Sequence, residues 1–395
     1  VRRIRSPLAG QAEPPAAFGW PRASLSAVAA IERKAIKPSE IVGHELYVGL
    51  ENLDSSGKFL GVRASADAGL KSNKFAFTED HVLYGKLRPY LAKIAAPDFG
   101  GICSTDIIPI RPGDRLDRRY LLHFLRTPAM VAHAAHKSVG INLPRLSPNV
   151  LESFEVPLPP IEEQRRIAAV LDAAEALRAK RRQALSKLDQ LDRSIFQSCL
   201  SEDKVESVEL GRLVDPVAKW NPRRDGSGTF IYIDITSIDQ VMKVVAQPTT
   251  IDASEAPSRA RQLVSSRDIL VSTVRPNLNA VACVRPNLDG ATASTGFCVL
   301  RPRRDELDWR YLFQYVKSQH FVRQLLQVAT GASYPAVSDR IVKATEVPLL
   351  AIAKQRRLGD LLDVSELLRA KHQTALAVQD ELFASLQQRA FRGEL

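Results

Sequence analysis

The sequence predicts an α+β fold used twice: two similar domains held apart by two long helices that form an antiparallel coiled coil. Three observations predict it. The chain repeats itself at an offset of 191 residues, each copy mixes short β-branched runs with helical apolar spacing, and each copy ends in a heptad pattern.

The repeat is clearest where Leu158-Pro-Pro-Ile161-Glu-Glu-Gln164-Arg165-Arg166-Ile167 returns as Leu349-Leu-Ala-Ile352-Ala-Lys-Gln355-Arg356-Arg357-Leu358. Residues 116–200 laid on 307–391 without a gap share 30 identities in 85 positions, which common composition does not produce. Upstream, Leu87-Arg88-Pro89 matches Val274-Arg275-Pro276, and Tyr47-Val48-Gly49-Leu50 matches Tyr232-Ile233-Asp234-Ile235, with small length changes between them. Residues 1–22 have no counterpart and are rich in Ala, Pro and Arg. They read as a disordered leader, or as translation of codons upstream of the native start. The expected organisation is that leader, a first domain at 23–157, a first helix at 158–200, a second domain at 201–348 and a second helix at 349–395.

Within the domains, Cys103–Ile110, Phe230–Ile235, Arg267–Val271 and Gly296–Leu300 read as strands separated by Gly and Pro turns, while 117–136 and 308–328 carry helical spacing. After Pro160 the apolar steps alternate three and four through Ile167, Val170, Ala174, Leu177, Arg181, Ala184, Leu188, Leu191 and Ile195. The second copy keeps that register in Leu358, Leu361, Ser365, Leu368, His372, Ala375, Gln379, Leu382 and Leu386. Alternating steps of this kind define a coiled-coil seam. Arg181 and His372 are polar seam positions; antiparallel pairing would bring them near the midpoint, where they either fix register or are tolerated, partly exposed.

Composition narrows the function. The chain has 395 residues, of which 45% are hydrophobic, so it builds real cores and is not intrinsically disordered. No apolar run approaches the roughly 20 residues of a membrane span, and the basic N-terminus lacks the apolar stretch of a signal peptide. A soluble, cytoplasmic protein is expected. The four cysteines lie far apart and read as reduced, buried thiols rather than a disulfide framework or zinc site. His133 and His136, with His123 nearby, lack a metal-completing partner and read as packing or surface residues. The net charge of +11 favours a polyanion partner.

The repeated Pro-Leu-Pro-Pro-Ile-Glu-Glu-Gln-Arg-Arg-Ile segment ending at Ile167, the terminal Gln387-Gln-Arg-Ala-Phe-Arg-Gly-Glu-Leu395, and Val82-Leu-Tyr-Gly-Lys-Leu-Arg-Pro-Tyr-Leu-Ala-Lys93 followed by Cys103-Ser-Thr-Asp106 carry a specific likeness. Over about residues 23–395 the chain resembles the specificity subunits of type I restriction–modification systems. The resemblance implies that each mixed region is a target-recognition domain reading one half of a gapped, bipartite site on double-stranded DNA. It implies that the helices space the halves and dock two methyltransferase subunits, with restriction subunits joining the assembly and no membrane involved. S-adenosylmethionine, ATP and magnesium would belong to those partners, and this chain would hold no cofactor, no metal and no catalytic residue. The second copy replaces Pro159-Pro160 by Leu350-Ala351 and Glu162-Glu163 by Ala353-Lys354, so equal docking at both helix starts is not implied.

The residues agree on catalysis. There is no Walker-type phosphate loop, no nucleophile elbow, and Asn221-Pro222-Arg223 is not a loop that grips a flipped adenine. The DNA-binding candidates are Lys86, Arg88, Tyr90 and Lys93 in the turn after Val82–Tyr84, and Ser272, Thr273, Arg275, Asn277, Asn279 and Arg285 in the matching region. Arginine reads guanine and asparagine reads adenine by paired hydrogen bonds, although Arg-Pro turns also occur as plain exposed connections. A second loop, Gly140-Ile-Asn142-Leu-Pro-Arg145, offers Asn142 and Arg145; it is matched by Gly331-Ala-Ser333-Tyr334-Pro335, which offers Ser333 and Tyr334. Lys71, Asn73 and Lys74 form a further basic patch, suited to phosphates or simply solvated. A fused restriction–methyltransferase is disfavoured by the missing motifs. A coiled-coil adaptor that binds no DNA, and an orphan subunit of an inactive system, remain as alternatives.

Overall fold

The computed structural model describes residues 20–201, 205–330 and 335–395; of the expected leader, residues 1–19 lie outside them. Pro21 and Arg22 do not behave as a leader. The Pro21 carbonyl accepts the Leu158 N–H at 2.8 Å, and the strand Arg22–Ser24 pairs antiparallel with Glu155–Pro157. The chain divides into two compact units, 1–182 with 375–395, and 183–374. Each unit therefore contains part of both long helices, a division that no single-helix boundary anticipates.

In the first unit an antiparallel four-stranded sheet has the order Ala29–Ile31, Ile107–Pro112, Val82–Gly85, Ile94–Ala95. A five-stranded mixed sheet has the order Ala35–Ile36, Lys74–Phe77, Gly101–Ser104, Leu46–Val48, Arg63–Ala64. The run Cys103–Ile110, expected as one strand, is two strands of different sheets joined through Thr105-Asp106. Both resulting segments are buried, and a continuous apolar run carries no mark of where the chain changes sheet. The helical region 117–136 also splits, into Arg118–Leu125 and Pro128–His136. Thr127 caps the second piece by accepting from Met130 N–H, and Pro128 takes the first helical position, where its missing N–H costs nothing.

The second unit repeats the plan. Val214–Asp215, Phe297–Pro302, Ile269–Ser272 and Val281–Cys283 form one four-stranded sheet; Thr249–Asp252, Thr229–Ile233, Thr292–Ser294 and Ala260–Leu263 form another. Ser318 caps the break between Trp309–Lys317 and Gln319–Val328, as Thr127 does in the first unit. Tyr120 and Tyr311 are fully buried, and their hydroxyls donate to the Pro157 and Pro348 carbonyls. Burial pushes the Cys103, Cys283 and Cys298 thiols up to about 12, which makes them inert packing groups. No described helix is long and apolar enough to cross a membrane.

The long helices span Ile161–Ser201 and Ile352–Ala390. They pack antiparallel within each unit. In the first, Arg166 donates to the Leu395 carbonyl, while Arg178, further along, reaches back to Asp380. In the second, Asp192 pairs with Arg369, while Phe196 shares a core with Leu358.

The seam differs from the heptad reading by one residue in every second position. Ile167 and Leu358 are buried, and Leu188, Leu386 and the polar Arg181 and His372 are half-buried. Leu177, Leu191, Leu361, Leu368 and Leu382 are instead exposed. Their next neighbours face inward: Arg178, Asp192, Leu362, Arg369 and Phe383. Two facts account for the shift. Arg178 lies 4.3 Å over the Phe383 ring and donates to Asp380 at 2.6 Å, and Arg369 pairs with the nearly buried Asp192 at 2.6 Å. Leu171 and Leu362 also pack into the domain cores, so the buried stripe must be wider than a two-helix seam.

Candidate nucleic-acid interface

Each unit builds one turn the same way. In the first, the strand Val82–Gly85 ends, and Lys86 leads into Arg88, whose backbone is left-handed (φ 51°, ψ 61°). Pro89 then opens a short 3-10 turn, Pro89–Leu91, that closes on a second left-handed residue, Ala92. In the second unit Arg275 has φ 50° and ψ 61°, Pro276–Leu278 is the 3-10 turn, and Asn279 closes it at φ 46°. Left-handed backbone is costly for a residue with a side chain and persists where surrounding bonds over-determine it.

Those bonds come from the second candidate loop. The Arg88 N–H donates to the Pro144 carbonyl at 2.7 Å, and the Leu146 N–H donates to the Lys86 carbonyl at 2.9 Å. The Arg275 N–H likewise donates to Pro335 at 2.8 Å, and the Val337 N–H to Thr273 at 2.9 Å. Two loops read separately from the sequence are thus one surface in each unit.

Side chains sort into three groups. Arg88, Tyr90 and Asn142 in the first unit, and Arg275, Asn277 and Arg285 in the second, are exposed. Arg88 also donates to the Asn142 carbonyl at 3.5 Å. Arg145 is exposed but oriented, its Nε and Nη2 meeting the two Asp106 oxygens at 3.1 and 3.4 Å; the pair raises the Arg145 pKa and aligns its fork. Lys86 is half-buried.

Four candidates are spoken for by the fold. Ser272 and Thr273 are buried, and their hydroxyls donate to the Val274 and Gly296 carbonyls at 2.9 Å, which satisfies them internally. The Lys93 ammonium donates to the Leu50 carbonyl at 2.6 Å, and the Asn279 amide to the Lys317 carbonyl at 3.1 Å. Ser272 and Thr273 are closed off inside the turn, while Lys93 and Asn279, half-buried, brace it. Lys74, from the third basic patch, is likewise buried, its ammonium on the Ser72 and Asn73 carbonyls. Ser333 and Tyr334 lie outside the described residues.

Sequence reasoning missed two features. Asp106, the residue that aligns Arg145, was legible only as the end of a motif; its counterpart by hydrogen bonding is Gly296, so the aligned arginine belongs to one unit alone. The other is an apolar tip between Gly140 and Pro144, where Ile141 stands fully exposed. Among the described residues no group of three or more His, Cys, Asp or Glu side chains is arranged to hold a metal ion. His133 packs edge-on against Phe154, and His123 is buried on Asp172 at 2.8 Å.

Each of the two α+β units thus presents a braced, arginine-bearing turn, and the comparisons point to one family. Residues 48–187 match the type I restriction modification DNA specificity domain. Over the parts matched, the chain is similar to specificity subunits of type I restriction–modification systems. Over 182 residues it is 27% identical to the EcoDI specificity subunit of Escherichia coli, a match covering 45% of this chain and 40% of that protein. Over 285 residues it is 20% identical to the MjaVIII specificity subunit of Methanocaldococcus jannaschii, covering 66% of this chain and 67% of the relative. The fold is also that of the type I system S subunit crystal structure from M. genitalium, at a TM-score of 0.58 and 14% identity over 94% of this chain and 96% of that one.

Proposed function

We propose that this chain reads double-stranded DNA for a type I restriction–modification complex in the cytoplasm. Residues 23–157 and 201–348 each recognise one half of a gapped, bipartite site. The observation that carries this reading is the Arg-Pro turn built twice, with Arg88 and Arg275 in the same rare backbone conformation and both exposed. Identical scaffolding keeps the docking geometry alike, while the differing side chains around it suit two different half-sites: Asp106 and Arg145 in one unit, Gly296 and Ala336 in the other.

The long helices set the spacing and carry two methyltransferase subunits. The exposed leucines that left the seam, Leu177 and Leu382 in one unit and Leu191, Leu361 and Leu368 in the other, supply apolar surface for that docking. Restriction subunits complete the complex. Methyl transfer, with S-adenosylmethionine, and ATP-driven cleavage, with magnesium, are the partners' chemistry; this chain contributes binding and no catalytic group.

Methylation sequencing of host DNA with the gene intact and deleted tests the reading. Loss of a two-part, gapped adenine-methylation motif on deletion supports it, and an unchanged methylome with an active methyltransferase present refutes it. A duplex-binding titration against salt, methyltransferase included, distinguishes the adaptor alternative, which predicts no salt-dependent binding.

A further inference from the structure

The loop between Val139 and Arg145 carries apolar side chains clear of the protein surface. Ile141 is 100% exposed, and its neighbours Val139 and Leu143 are 80% and 47% exposed. A single exposed aliphatic residue is ordinary. This one is held in place. The Val139 N–H donates to the Arg145 carbonyl at 3.0 Å, the Arg145 N–H returns to Val139 at 2.9 Å, and the Arg88 N–H ties Pro144 from outside. Gly140 shapes the tip at φ +117°, where a Cβ would come within 3.0 Å of the Leu143 carbonyl oxygen. The protein thus spends a glycine and a closed ladder on presenting isoleucine to solvent.

Exposed cations flank the tip. Arg145 closes its ladder, Arg88 is tied to Pro144, and Lys137 lies two residues before Val139; the fork of Arg145 is aligned by Asp106, the acidic group paired with it. An apolar point with a basic collar fits duplex DNA, which offers phosphates to the collar and stacked base faces to the point.

We propose that Ile141, backed by Leu143, inserts between stacked base pairs of the half-site bound by the first unit, partly unstacking that step and bending the duplex. The inference rests on the DNA-reading function proposed above. Arg88 and Arg145 anchor the backbone beside the opened step, and specificity at that position comes from how easily the step deforms. In the second copy the aligned residue is Ala332, which has no side chain long enough to act as such a wedge. The distortion therefore belongs to one half-site.

The test uses the full chain assembled with its methyltransferase partner, on duplexes carrying the methylation motif. A 2-aminopurine is placed at each position of the half-site in turn, away from the methylated adenine, which the methyltransferase itself flips. The expected result is a fluorescence rise at one step with the wild-type chain. Ile141→Ala abolishes that rise and weakens binding about tenfold, a loss of roughly 1.4 kcal/mol, while Ile141→Leu retains both. A rise that survives Ile141→Ala, or no rise with the wild-type chain bound, overturns the wedge and leaves DNA reading intact. Failure of Ile141→Ala to assemble with the methyltransferase in the absence of DNA makes the tip a protein contact and also overturns it. Absence of any duplex binding by the wild-type complex removes the proposed function first, and this inference with it.

Discussion

Gln164 accepts the backbone N–H of Asp117 at 2.9 Å, joining the start of a long helix to the cap of a domain helix. Its amide donates to the Arg115 and Pro159 carbonyls at 3.0 and 2.8 Å, and Gln355 makes the same three bonds to Asp308, Glu306 and Leu350. The glutamine of the repeated Gln-Arg-Arg motif is thus a buried latch. Gln164→Ala leaves three backbone groups without partners and should cost about 2–3 kcal/mol. Urea unfolding followed by circular dichroism measures it, and a change below about 0.5 kcal/mol would contradict the latch.

Asp172 supplies a pH dependence. Burial pushes its carboxyl up, but hydrogen bonds from His123 and Arg119 outweigh that and hold it well below the usual carboxylate range. A carboxylate depressed in the folded state stabilises the fold above its unfolded pKa of about 3.9, and that stability is lost as pH falls below it. The melting temperature of the wild-type chain should drop between about pH 4 and pH 2. Asp172→Asn should melt lower at neutral pH and show a shallower drop across that window.

The displaced seam makes a prediction opposite to the heptad pattern. Leu177→Ala and Leu382→Ala should change the chain's own stability by less than about 0.5 kcal/mol, because both side chains are exposed. Arg178→Ala, which removes the Asp380 pair and the Phe383 contact, should cost about 1–2 kcal/mol. Thermal melts of the three variants decide between the two registers, and pull-down with the methyltransferase shows whether the leucines serve the partner instead.

Arg88 separates backbone from side-chain roles. Arg88→Gly relieves a left-handed residue and should leave stability unchanged or raise it by up to about 1 kcal/mol. Under the proposed DNA-reading function, its duplex affinity should fall; a phosphate contact lowers the salt slope by about one, whereas a base contact costs about 1–3 kcal/mol and relaxes specificity at one position. Binding isotherms at several salt concentrations read both.

Thr273→Val should act on folding alone. The Thr273 hydroxyl sits on the Gly296 carbonyl at 2.9 Å inside the domain, so its loss lowers stability by about 1 kcal/mol and leaves the methylated motif unchanged. A changed motif would return this residue to the DNA surface.

The duplication, the α+β class, the two long helices and the position of the Arg-Pro turns are legible along the chain. Those features are written in local periodicity, in turn residues and in the likeness of one copy to the other, and none needs a distant partner to be read. Packing sets which face of each helix is buried, that Ser272 and Thr273 point inward, that Cys103–Ile110 crosses between sheets, and that Ile141 stands clear of the surface. A heptad marks a stripe to within one residue, but whether Leu177 or Arg178 faces inward depends on Asp380 and Phe383 some two hundred residues later. The same holds for a hydroxyl or an isoleucine in a loop: its neighbours in the chain set the backbone it sits on, and the groups folded against it set whether it meets carbonyl, core or water.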